Sequence, residues 1–396
     1  MVPFTVVRAY SVSQQATRRL INFETSDLFA QSCRDNECLS QLANIIRKTQ
    51  SDKISDLKPL KSSTINSDRS LPIPVFPRQE IFDQVDQDVA VQQWRKFPTK
   101  WFRFGKFVIK NYTSSLRNMW GLFKDTRVIH KEYRDFNKLV MSTSKTIEFA
   151  EIEAKVTKSP LKSLQLTRIQ FQEYRRRGEF YKVPSFLLIL LLFEEFTPAL
   201  CYVFPSLVPW NCLTPSAYKK LSSKGANVNL HGDLTKSNEY LSPYNVPIDK
   251  AVEFLANKRV LSRWQTVFYR IAGNNDKIYE ALAQYNQYLL VDDWLLLTHI
   301  FEAGTIDLSN RELINAIFER QLYNASEDLG TMIVNEQSRK TFLYRLMFYL
   351  AFRYNSTLRA GGDKQFTEAW GVNNIAILNI PGTSRFLEPR DLDKVK

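Results

Sequence analysis

Histidine, cysteine and glycine are scarce in this chain, at three, four and twelve of 396 residues, and the scarcity excludes much chemistry. His130, His231 and His299 share no metal-ligand spacing, and neither a Gly-rich phosphate loop nor a nucleophile elbow is present. No catalytic residue, metal or cofactor is therefore expected, and an enzyme is not the reading. Cys33, Cys38, Cys201 and Cys212 are too dispersed for the disulfide framework of a small secreted domain, and Cys33-x4-Cys38 lacks a second ligand pair. No Asp-x-Asp-x-Asp-Gly loop supports a calcium site. Strand signals are sparse as well, which leaves an all-α fold of amphipathic helices.

Charge is plentiful but unevenly placed. Residues 91–182 hold 21 Lys/Arg against 8 Asp/Glu, whereas 1–90 and 183–396 are each neutral, so one block supplies the whole net charge of +13. Its partner should be polyanionic, either anionic lipid or nucleic acid. In "VQQWRKFPTKWFRFGKFVIKNY" Trp94, Phe97, Trp101, Phe102, Phe104 and Phe107 interleave with Arg and Lys. The pattern suits base stacking or a helix on a membrane surface, and its position before an apolar run favours lipid.

The first 23 residues contain Arg8, Arg18 and Arg19 and no acid, the composition of a mitochondrial transit peptide, assigned to residues 1–30. Residues 31–90 read as a disordered linker, given their Ser, Pro and Asp clusters. Residues 91–182 form the basic amphipathic helical region, with apolar positions three and four apart through "RVIHKEYRDFNKLVMSTSKTIEFAEIEAKV" and "LKSLQLTRIQFQEYRRRGEFYKV". Arg175, Arg176 and Arg177 are placed as contacts to lipid headgroups or phosphate.

Residues 183–208 contain no Lys, Arg, Asn, Gln or Asp and are long enough to span a bilayer as one transmembrane helix, kinked at Pro198. A bent helical hairpin is the alternative. Glu194 within the run argues for a buried partner, for protonation or for a function. Residues 209–250 read as a linker. Residues 251–396 read as a helical domain, with a capping box at Ser309-x-x-Glu312 and a strong helix over Ser338–Tyr354 whose stripe of Phe342, Leu346, Phe348, Tyr349 and Phe352 is core.

Glu194-x3-Pro198 followed by Phe204-Pro205 and Pro209 resembles the transmembrane segment of the LETM family of mitochondrial inner-membrane proteins, and "LQLTR" over Leu164–Arg168 resembles the stretch before it. "DDWLLLTHIFEAGTIDLSNRELINAIFER" is similar to that family's ribosome-binding domain, through Asp292, Asp293, Glu302, Gly304, Leu308, Glu312, Leu313 and Arg320. The resemblance implies a short member: an inner-membrane adaptor that binds the mitochondrial ribosome and supports insertion or translation of respiratory-chain subunits. It implies Asp292, Asp293, Glu302, Gly304, Glu312 and Arg320 as ribosome contacts and Glu194, Pro198, Phe204, Pro205 and Pro209 as functional residues of the span. Partners would be the ribosome, anionic lipid of the inner membrane, and a further copy or a related family protein. Its alternative is a part in potassium/proton exchange and volume homeostasis.

Overall fold

Apolar residues spaced three and four apart make helices that must bury one face, and the computed structural model of this protein gathers those faces around one long helix. It describes residues 40–45, 65–157, 164–193, 207–226, 247–323 and 327–353. Among these residues there is no strand, as the sequence leads one to expect. In chain order the helices are α1 (Arg78–Gln87), α2 (Gln93–Asp125), α3 (Arg127–Tyr133), α4 (Phe136–Thr157), α5 (Arg168–Arg176) and α6 (Val183–Phe193). They continue with α7 (Pro215–Ala226), α8 (Ile248–Asn257), α9 (Arg263–Ile271), α10 (Asp276–Ala303), α11 (Asn310–Glu319), α12 (Leu329–Met332) and α13 (Glu336–Arg353).

Helix α10 is central because its middle is buried on every side: Tyr288, Leu289, Val291 and Leu296 lie in the core, as do Asp292 and Asp293, with α4, α5 and α8 packed around it. The same core takes in Ile147 of α4, Phe171 of α5, Phe254 of α8, Ile317 of α11 and Phe342 of α13. Each such side chain contributes on the order of 2 kcal/mol through burial. The basic block and the C-terminal region thus share one core and lie on one side of any membrane. Gly304, at φ 64°, ends α10 in the left-handed conformation. Arg134, at φ 59°, separates α3 from α4, where the sequence reads as one continuous helix.

Two expected linkers are corrected. Within 31–90, Leu42, Ile65 and Leu71 lie in the core, and the backbone of Ile65 and Ser67 bonds to buried charges of distant helices. A polar segment stays ordered here because its polar groups complete those charges. Within 209–250, Trp210 is the largest fully buried side chain and α7 follows it. Residues 1–30 lie outside the described residues. So do Gly361 and Gly362, beyond the end of α13.

The ordered N-terminal segment meets α12 closely enough to give a test. A Cβ on Gly330 would sit 2.7 Å from the Pro74 carbonyl oxygen, a backbone atom that cannot rotate away. Gly330→Ala is expected to cost about 1–3 kcal/mol, read as an earlier urea midpoint at unchanged slope.

Candidate functional site

Helix α5 begins at a capping box, Thr167 accepting from Gln170 N and Gln170 reaching back to Thr167 N. That start sets Arg168, Gln172, Arg175 and Arg176 on one face, at spacings of four, seven and eight. The face points at the carboxylates of α10 and α11. Arg168 Nε donates to Asp292 Oδ1 at 2.7 Å, and its Nη1 donates to Glu312 Oε2 at 2.9 Å and to Ile65 O at 2.6 Å. Arg320 Nη2 reaches Asp292 Oδ2 at 2.7 Å, while its Nε reaches Asp293 Oδ1 at 2.7 Å. Gln172 Nε2 and Tyr349 OH complete the two aspartates, at 2.7 and 3.0 Å. All of these side chains are buried.

A second cluster adjoins the first. Glu319 accepts from Arg175 and Arg176 on one oxygen and from Tyr288 OH on the other. The Arg175 guanidinium lies 3.7 Å from the Tyr288 ring centroid and that of Arg176 4.3 Å from Trp210. Arg177 donates to Phe123 O and Thr126 Oγ1. Burial works against ionised Asp292, but Arg168 and Arg320 outweigh it and hold the carboxyl below the usual carboxylate range. Glu319 is lowered in the same way, against burial, by Arg175 and Arg176. For Glu312 burial prevails over Arg168 and the Ser67 N–H, and its carboxyl is raised.

These contacts reassign the residues singled out in the sequence. Asp292, Asp293, Glu312 and Arg320 come together, but inside the protein, where no ribosome can touch them. Arg175, Arg176 and Arg177 are likewise committed to internal partners instead of headgroups, because each finds an acceptor that sequence order keeps far away. Ser309 does accept from Glu312 N at 3.2 Å, yet the Glu312 carboxylate turns to Ser67 and Arg168, so only half of that capping box forms. Glu302 is exposed and Gly304 serves as a helix terminator. Glu194, Pro198, Phe204 and Pro205 lie outside the described residues, while Pro209 is buried just before Trp210.

The face turned to solvent is apolar. On α6, Leu188, Leu191 and Leu192 are 59%, 74% and 68% exposed, and Tyr181 just before it is 70% exposed. Among the described residues no helix is long and apolar enough to cross a membrane. The described part of α6 covers Val183–Phe193. The two flanks of the apolar run also meet: Trp210 N donates to Glu179 Oε2 at 3.1 Å. With Glu179 and Trp210 in contact, the two flanks of the run lie together rather than on opposite sides of a bilayer, which corrects the single span expected over 183–208.

Helix α2 runs beside this exit. Tyr112 packs on Phe186 at 5.8 Å and Trp120 on Phe180 at 5.6 Å. At about 100° per residue, exposed Phe102, Ile109 and Trp120 and exposed Arg95, Lys106, Arg117 and Lys124 fall within roughly 80° of one another. The sequence shows the mixture of aromatics and cations. It does not show which of them share a face with α6.

Comparison with known proteins decides the lineage. Residues 65–301 match the family model of the Pentamidine resistance factor domain. The chain belongs to that family. A relative, the mitochondrial pentamidine resistance factor of Saccharomyces cerevisiae, is 36% identical over 351 residues, covering 82% of this chain and 83% of the relative. No solved structure matches. The pentamidine resistance factor assignment overturns the LETM resemblance, four of whose motif residues, Asp292, Asp293, Glu312 and Arg320, are buried ion-pair partners. The ribosome-adaptor and potassium/proton exchange readings were both implied by that resemblance, and neither draws support from it now.

Proposed function

We propose that this pentamidine resistance factor family member is a non-enzymatic adaptor held on the mitochondrial inner membrane, where it supports insertion or translation of respiratory-chain subunits beside the ribosome. One observation carries the membrane part: the exposed leucines of α6 adjoin an α2 face that mixes exposed aromatics with cations, on a fold where the two flanks of the apolar run meet at Glu179 and Trp210. Such a surface suits shallow insertion into an anionic interface, with Trp120 and Tyr181 at headgroup depth. The mitochondrial location draws on the yeast relative's name and on the basic, acid-free first 23 residues. The ribosomal part draws on the cation stripe, since RNA phosphate is the other polyanion it would meet.

Flotation of the purified protein with vesicles tests this reading. Vesicles containing about 20–30% anionic lipid should carry the protein at moderate salt, and the triple variant Leu188→Ser, Leu191→Ser, Leu192→Ser should bind at least tenfold more weakly. Equal flotation of the triple variant would sink the membrane-adaptor reading. For the ribosomal part, exchanging Arg95, Lys106, Arg117 and Lys124 for Gln should reduce salt-sensitive co-sedimentation with mitochondrial ribosomes.

A further inference from the structure

Helix α9 turns its apolar side outward. Trp264, Val267, Phe268 and Ile271 recur three and four apart and are 85%, 48%, 66% and 83% exposed, while Thr266 on the other side is buried and Tyr269 half-buried. The helix itself is well fixed. A capping box starts it, Ser262 accepting from Gln265 N and the Gln265 side chain accepting from Ser262 N, and Gly273, at φ 66°, follows its end. The four side chains leave on the order of 500 Å² of apolar surface in water, and a continuous patch of that size marks an interaction site.

Charge and size narrow the occupant. Arg270 and Lys277 beside the stripe are paired, with Asp249 at 2.7 Å and Glu280 at 2.9 Å, so the stripe carries little of the positive charge that α2 offers to a polyanion. A second copy docking through this helix alone would fall short of the roughly 800 Å² per partner that stable interfaces bury. A tethered segment of the same chain needs less, since it acts at an effective concentration of about a millimolar.

The chain itself supplies such a segment. Arg339 Nη2 donates to Leu308 O at 2.9 Å, beyond the C-terminal end of α10, and Tyr349 OH donates to Asp293 Oδ2 at 3.0 Å in its middle. Helix α13 therefore runs antiparallel to α10 and ends, at Arg353, heading toward the first turn of α10 and α9 just before it. Residues 354–396 lie outside the described residues. In sequence, 369–384 reads "AWGVNNIAILNIPGTS", with no charged side chain and with Trp370, Val372, Ile375, Ile377, Leu378 and Ile380. Along α10 the distance from Asp293 to Asp276 is roughly 25 Å, and residues 354–368 can reach about 50 Å when extended.

We propose that residues 369–384 fold back onto the outward side of α9, their aliphatic side chains covering Trp264, Val267, Phe268 and Ile271. Helix α9 is then a docking surface for the end of its own chain and not part of the surface that α2 and α6 offer to a membrane.

Photocrosslinking on the purified full chain without lipid tests this, with Phe268→p-benzoylphenylalanine in one protein and Ile271→p-benzoylphenylalanine in another. Mass spectrometry should place most of the crosslinked peptide from either position within 369–384 of the same chain. Hydrogen exchange gives an independent reading: Ile375→Ser combined with Ile377→Ser should speed exchange of the amides in 263–271 at least tenfold and leave α10 at its parent rate. If α10 also exchanges faster, the serine variant has lost its fold and the crosslinks decide alone. Crosslinks to residues 194–206, to a second copy or to no peptide overturn the proposal, as does unaltered exchange of α9 in a folded serine variant.

Discussion

Replacing Arg168 by methionine is expected to lower the unfolding free energy by about 3–5 kcal/mol, a third or more of the stability of an ordinary domain. Arg168 is fully buried and serves Asp292, Glu312 and the Ile65 carbonyl at once. Methionine fills much of the volume but leaves a buried Glu312 without its cation and Asp292 with Arg320 alone. The N-terminal segment at Ile65 would lose its hold on the core in the same step. Arg168→Lys retains a charge yet cannot fork to two carboxylates and a carbonyl, so an intermediate loss of about 1–3 kcal/mol is expected. Urea unfolding of the three proteins at pH 7 measures this, and a methionine variant as stable as the parent would refute the role given to the network.

The pH dependence follows from the same groups. Asp292 and Glu319 are held low, so their stabilisation is present above the unfolded carboxylate range and is lost as pH falls through their folded values. Glu312 is raised and works in the opposite sense, favouring the fold when protonated. Acid unfolding should therefore report mainly the arginine-paired carboxylates.

Lys258→Met is expected to raise stability, which few substitutions of a buried charged residue do. The wild-type ammonium is enclosed by Phe254, Phe318, Arg175, Arg259, Glu179 and Glu319, and burial brings it down to about 7. In the unfolded chain it titrates near its ordinary value of about 10.4. Below pH 7 both states hold the proton and the fold bears the whole desolvation cost. Between about 7 and 10 the unfolded state holds more protons, so stability rises with pH, by roughly 2–3 kcal/mol over two pH units. Lys258→Met should remove that rise and exceed the wild type at pH 7 by a similar amount. Melting curves of both proteins from pH 6 to 9, without phosphate, provide the check. A wild-type profile that is flat or falls with pH would contradict the burial of a charged Lys258.

Much of the fold was legible from local pattern. Helix α13 was expected over 338–354 and runs over Glu336–Arg353, because the apolar period needs only near neighbours. Residues Phe342, Leu346 and Tyr349 of its stripe are buried as expected. Thr167-x-x-Gln170 and Ser262-x-x-Gln265 likewise carry in local sequence the capping boxes that start α5 and α9. The ends of the apolar run could not be read as adjacent, since the Glu179–Trp210 hydrogen bond joins residues 31 positions apart.

By itself the sequence determined that the protein is helical, that its positive charge is concentrated in residues 91–182, that an apolar run follows, and that no metal or nucleophile motif accompanies them. Those are properties of composition and of periods shorter than two helical turns. Tertiary structure decided what each charge does. Arg175-Arg176-Arg177 reads as one triplet of headgroup or phosphate contacts, yet the first two bind a carboxylate more than 140 positions away and the third a backbone carbonyl of α2. Asp292-Asp293 reads as a recognition pair and is instead the buried meeting point of Arg168 and Arg320. A carboxylate or guanidinium is costly to bury alone and is stable when paired, and whether a partner arrives is settled by packing between distant helices. The same packing left the leucines of α6 uncovered and turned them to solvent.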